Sequence, residues 1–344
     1  MDWRALPKIE FHRHLDGSIR QSTIVALAQE FNIDLGFSLS DKTKLDQKTK
    51  ILRPMNSLQE VLDTFWTTQK VMLNRAALAR VAYENVEDVY CDGVVLSELR
   101  FAPSFIRVGK PNLTYEEIID AVLEGIHKGV QEFGIEVGLI HIIPRSLDPK
   151  ENAAATEMIF RFKQQHPLGK RYLVGIDLAD AEVTTNPKDF IPWIERARLN
   201  DLQVTIHSAE DSSYQHGLKA IELYQPKRIG HGIKLADNDA ALDYVLKANI
   251  HLENCPTSNW LTRSVATIEQ HPFKKIFDRG VSVSLNSDDP HLMGIDLTHE
   301  YELAQKHWGF TPEILKDLNR RNLEHSFLSR EQINKVWARF FQLQ

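Results

Sequence analysis

The segment Ile-Glu-Phe-His-Arg-His-Leu, residues 9–15, decides the reading of the fold. Its apolar start reads as a buried strand, and it ends in two histidines spaced two apart. Residues i and i+2 of a strand share a face, so His12 and His14 point the same way. Seven more short apolar, β-branched runs follow, at 93–101, 135–143, 172–179, 203–209, 228–233, 250–255 and 281–288. Most are followed by helical patterns. Eight strands alternating with helices predict an α/β protein, a (β/α)8 TIM barrel. A doubly wound open sheet is the rival architecture. No G-x-G-x-x-G follows the first strand, which weighs against its dinucleotide-binding form.

The spacing is uneven at one place. About 77 residues separate the first strand from the second, room for far more than one helix. Leu58, Val61, Leu62, Phe65 and Trp66 recur at helical spacing there. A helical insertion over about 18–92 is expected. Part of its apolar stripe would serve as a lid over the C-terminal ends of the strands, where such barrels bind substrates. The chain is otherwise read as one domain, 1–344.

Composition narrows the function classes. The 344 residues are 42% hydrophobic, enough for a large core, and carry a net charge of −6. No basic surplus points to nucleic acid. No apolar run is long enough for a membrane span. Cys91 and Cys255 lack the paired spacing of a redox or zinc-knuckle motif. With no signal-peptide pattern at the N-terminus, a reduced, cytoplasmic protein is expected.

Titratable residues recur at other strand ends: His207-Ser208-Ala209-Glu210 at the fifth, His231-Gly232 at the sixth, Asp288-Asp289-Pro290 at the eighth. Four histidines and three carboxylates on one rim are hard to explain by packing, because unpaired buried charge is costly. Three His and one Asp can hold a metal and leave a position for water. A metal lowers that water's pKa, a carboxylic acid can protonate a ring nitrogen, and a further His can move a proton. The set suits hydrolysis at an electron-poor ring carbon.

The stretches PKIEFHRHLDGSIR (7–20), GIDLADAE (175–182), HSAED (207–211), RIGHGI (228–233), ENCPTSN (253–259) and SLNSDDP (284–290) resemble, in that order, the adenosine deaminase family. LSELRFAP (96–103) and NLEHSFL (322–328) are similar to it too, and the resemblance spans nearly the whole chain. It implies hydrolytic deamination of adenosine and 2′-deoxyadenosine to inosine and ammonia, with one Zn2+ per chain and a purine nucleoside as the small-molecule partner. By position it implies His12, His14, His207 and Asp288 as zinc ligands. Glu210 would protonate purine N1, and His231 would orient and deprotonate the water. Asp289 would hydrogen-bond N7 and help hold the hydroxide. Asp16 would bind the ribose 5′-hydroxyl, Gly17 would allow close approach, and the backbone N–H of Asp180 would face N3.

Three departures from the family pattern bear on specificity. Asp180 stands where the family usually has Gly. Ala209 also replaces a usual Gly, which is harmless if φ there is negative. Val61 stands where some relatives carry a bulky aromatic, widening the roof.

The resemblance also sets the alternatives. Free-adenine deaminases typically carry Glu at the position of Asp16, and deaminases of N6-substituted adenylates tend to carry Asn. An ionised Asp16 therefore favours a free 5′-hydroxyl and disfavours a 5′-phosphate. Aminodeoxyfutalosine, a larger adenine nucleoside, is the main alternative substrate. The complete residue set argues against a catalytically silent nucleoside-binding relative. A binuclear amidohydrolase needs a bridging carboxylate, often a modified Lys, after the fourth strand, where Asp177 and Asp180 stand without a Lys. Cys255 reads as packing, and His216, His251, His271 and His325 as surface or satisfied residues. His291 could approach the pocket. Arg145 would either anchor substrate or pair with an acid.

Overall fold

Each of the eight predicted runs overlaps a strand: β1 (Lys8–His14), β2 (Val94–Phe101), β3 (Glu136–Pro144), β4 (Leu173–Ala179), β5 (Gln203–Ser208), β6 (Arg228–His231), β7 (His251–Asn254) and β8 (Val283–Leu285). They form one sheet in chain order, and every neighbouring pair is parallel. The computed structural model describes residues 2–55, 58–183 and 185–342, without the side chains at 58, 59 and 61–63. Strands β2, β3 and β4 are buried along their whole length, as parallel strands covered on both faces must be.

The barrel closes between β8 and β1 with help from a side chain. Asn286 Oδ1 accepts from the backbone N–H of Phe11 at 2.9 Å and of His12 at 3.2 Å, while its Nδ2 donates to Asn254 O at 3.1 Å. Beyond it, Asp288 N–H donates to His12 O at 3.0 Å and His14 N–H to Asp288 O at 2.8 Å. The eighth strand is therefore shorter than the expected 281–288. An amide side chain takes over the pairing, and the chain turns at Asp288, where φ is +61°.

Among the described residues, four helices stand between β1 and β2: α1 (Gln21–Glu30), α2 (Lys42–Thr49), α3 (Leu58–Gln69) and α4 (Arg75–Cys91). After β2 come α5 (Pro103–Arg107) and α6 (Tyr115–Phe133). A Cβ added to Gly125 of α6 would fall 2.2 Å from Ala79 O of α4, and one added to Gly129 would fall 2.6 Å from Val86 Cβ. Glycine thus lets the two backbones approach closely, and α4 belongs to the ordinary outer helical layer. Helices α1 to α3 precede it between β1 and β2, in the stretch where a helical insertion over about 18–92 is expected. Of the expected stripe, Leu58, Val61 and Leu62 have side chains outside the described residues. Among the described residues, no helix is long and apolar enough to cross a membrane.

Candidate metal centre and active site

The strand ends bring one ligand atom each from His12, His14, His207 and Asp288 to within 4.8 Å of one another. Asp288 Oδ1 lies 3.2 Å from His12 Nε2 and 3.3 Å from His14 Nε2. The far side of two of these rings is held by buried carboxylates. His12 Nδ1 is 3.0 Å from Glu253 Oε2, and His207 Nδ1 is 2.8 Å from Asp177 Oδ2. A carboxylate on one ring nitrogen fixes the tautomer and aims the other nitrogen at a metal. Arg100 joins the two supports, reaching Asp177 Oδ2 at 2.7 Å and Glu253 Oε2 at 2.8 Å. Arg228 lies 2.6 Å from both Glu253 Oε1 and Glu98 Oε2. All five of these charged side chains are fully buried.

The donor set fits a divalent cation. Burial pushes His207 down to about 4 and His14 well below the usual imidazole range, so both present lone pairs. Asp288 stays ionised against its burial because His12, His231 and His14 face it. Burial and Arg100 oppose protonation of His12, but Asp288 and Glu253 outweigh them and raise its pKa. The cluster therefore favours positive charge at its centre. Three imidazoles and a carboxylate match the ligand chemistry of zinc.

A cavity of about 250 Å³ opens beside this cluster and is also lined by Asp16, Asp180, Glu210, His231 and Asp289. Glu210 Oε2 is 3.5 Å from His231 Nε2, and its Oε1 accepts from Asn259 Nδ2 at 3.1 Å and Thr262 Oγ1 at 3.3 Å. Burial raises the pKa of Glu210. Burial, then the charges of Asp288 and Asp16, push Asp289 well above the carboxylate range. Asp16 and Asp289 each keep a buried Oδ1 without a protein partner. The apolar wall comes from Ile51, Met55 and Phe65 of the insertion, with Phe105, Leu261 and Met293.

Several sequence-based expectations change here. Asp16, read from the sequence as ionised, is raised to about 7 by burial, so near neutrality a large fraction is protonated. The protein also needs the space at Gly17, since a Cβ there would fall 1.5 Å from Asp289 Oδ1. Ala209 has φ +55°, not negative, so replacing glycine is not free. Left-handed non-glycine residues cost roughly 1–3 kcal/mol each, and Asp180 (+72°), His231 (+60°) and Asp288 (+61°) share the conformation. Each sits where the chain leaves a strand and turns over the rim. The Asp180 side chain is exposed and engages Ser146 and the N–H of Ala181. His291 lies away from the cavity, 2.7 Å from Asp88. Trp66 stacks on Phe105, 4.6 Å between centroids, and does not line the cavity. Arg145 donates to the carbonyls of Asp180 at 2.9 Å and His207 at 2.7 Å.

Sequence reasoning assigned no role to Glu253, Arg100 and Asn259, and considered Asp177 only as a possible bridging ligand. A signal was present: charges at positions 98, 100, 177, 228 and 253 interrupt strands that should be near-continuously apolar. Asn259 Nδ2 also lies 3.1 Å from His231 Nδ1, and its Oδ1 lies 3.1 Å from His271 Nε2.

The family model for adenosine deaminase matches residues 7–342. The chain belongs to the adenosine deaminase family. It is a hydrolase of that family. An adenosine deaminase of Aliivibrio fischeri is 37% identical over 326 residues, covering 95% of each chain. Among solved structures, the N6-mAMP deaminase of arabidopsis superposes with a TM-score of 0.84 at 26% identity, covering all of both chains. An adenine deaminase of Arthrobacter aurescens shares the fold at a TM-score of 0.83 and 23% identity, covering 97% of this chain and 98% of its own.

Proposed function

We propose that this chain is a mononuclear zinc deaminase of adenosine and 2′-deoxyadenosine, with residues 1–344 acting as one catalytic domain. The observation that carries the reading is the convergence of the His12, His14, His207 and Asp288 cluster with Glu210, His231 and Asp289 on one cavity. The finding that this chain is a deaminase-family hydrolase supports a 6-aminopurine as substrate. Zinc held by the four ligands would act as a Lewis acid and lower the pKa of a coordinated water toward about 7.

The protein's own groups divide the remaining work. Glu210 lines the cavity and burial raises its pKa, which suits it to give a proton to purine N1. His231 lies 3.5 Å from Glu210 and 3.8 Å from Asp288, where it can orient the attacking water and take its proton. Purine N7 only accepts hydrogen bonds, so a protonated Asp289 is the right partner for it. Asp16 reaches the 5′-hydroxyl and can accept from it or donate to it. The backbone N–H of Asp180 faces N3, and Gly17 keeps room for the Asp289 carboxyl. Ile51, Met55 and Phe65 act as the lid that shields the site from water. One water is consumed at C6 and one ammonia leaves.

The test is a comparison of kcat/KM on zinc-loaded enzyme with adenosine, 2′-deoxyadenosine, adenine, aminodeoxyfutalosine and N6-mAMP. Adenosine should exceed adenine by orders of magnitude, because a site built around a hydroxyl leaves polar groups unpaired without it. Equal turnover of adenine, or preference for aminodeoxyfutalosine or N6-mAMP, would sink the adenosine assignment and leave the metal chemistry standing.

A further inference from the structure

The loop that carries Glu210 is held through its backbone by several partners. The Glu182 carboxylate accepts from three successive N–H groups: Ala209 at 2.6 Å, Glu210 at 2.9 Å and Asp211 at 3.4 Å. Ser212 Oγ donates to it as well, at 2.5 Å. The carbonyls of the same stretch face the other way. His207 O accepts from Arg145, Ser208 O from Gly232 N–H at 3.1 Å, and Ala209 O from Lys234 N–H at 2.8 Å. Successive N–H groups converge on one anion where the backbone alternates in handedness, and Ala209 at φ +55° supplies the left-handed member. Alanine does not seek that conformation, so the loop's partners impose it.

We propose that Glu182 is a positioning residue of the reaction, clamping the 209–211 backbone so that Glu210 is aimed into the cavity. The clamp rests on the reading of Glu210 as the proton donor. Burial opposes the charge, but Ser212, the N–H groups of Glu210 and Ala209, and Arg145 outweigh it and keep Glu182 ionised. An amide is nearly isosteric but would turn an N–H toward backbone donors, so Glu182→Gln breaks the clamp without emptying the space.

Adenosine turnover, zinc content and thermal midpoint are measured for Glu182→Gln, Glu210→Gln and the double variant. A misplaced catalytic group loses about 10²-fold, so Glu182→Gln should lose kcat on that order with KM and zinc content little changed. The double variant should be no slower than Glu210→Gln alone, because residues acting as one unit are not additive. A Glu182→Gln enzyme within about twofold of wild-type kcat, or a double variant in which the two losses multiply, would overturn the clamp. If Glu182→Gln does not fold, Ser212→Ala removes one donor and keeps the charge. A several-fold kcat loss that vanishes in the Glu210→Gln background supports the clamp, and an unchanged kcat overturns it. A full-rate Glu210→Gln would overturn the acid reading itself, and the clamp with it.

Discussion

On the strand side of the cavity, two of the proposed ligands rest on buried ions: His12 on Glu253 and His207 on Asp177, with Arg100 between them. On the insertion side, Ile51 and Met55 are held by backbone bonds to Leu292 O (2.6 Å) and Leu261 O (3.0 Å), and otherwise by apolar contact. The first wall has one geometry, because every charge in it would be stranded by a shift. The second can slide or repack at small cost, because dispersion and burial are non-directional. In the proposed function, chemistry falls to the rigid wall and substrate fit to the apolar one.

The largest effect should come from the strand side. Asp288→Asn should lose zinc and activity together, whereas Asp289→Asn should keep zinc and lose turnover. Asp288 Oδ1 lies within 3.3 Å of two histidines, while Asp289 packs against Gly17. Equal metal loss in both variants would merge the two roles and blur the contrast between ligand and substrate contact.

Behind the ligands the effect should be smaller but still large. Glu253→Gln removes the shared partner of Arg100, Arg228 and His12. Breaking such a buried pair costs about 3–5 kcal/mol, and removing a ligand's support costs about 10–100-fold in metal affinity or activity. Thermal unfolding and zinc-buffer titration check both. A variant as stable and as tightly metallated as wild type would show that this wall tolerates change after all.

These two walls were not equally legible in the sequence. Residues 9–15 and the next six runs read correctly as strands because each is a short apolar stretch buried on both faces. The eighth was read too long because Asn286, a side chain, replaces backbone pairing at the closure. The residues at the rim were visible because titratable groups followed apolar strands. What holds them was not assigned, since Glu253, Asp177 and Arg100 act through contacts 30 to 241 residues apart in sequence. The left-handed turns at Asp180, Ala209, His231 and Asp288 were hidden for another reason: none of these residues is glycine, so nothing local announces a positive φ.

The smallest effect belongs to the insertion. Phe65→Leu should raise KM for adenosine by about tenfold, the low end of the range for small changes in an apolar pocket, with kcat within about twofold. A large fall in kcat with KM unchanged would mean that this wall also takes part in the chemistry.

The proposed reaction needs one zinc, held by the strand-side wall. Metal-free protein titrated with Zn2+, with ammonia release from adenosine as the readout, tests it most directly. The rate should rise linearly and level off at one zinc per chain. A plateau at two zincs, or full activity before any is added, would contradict it.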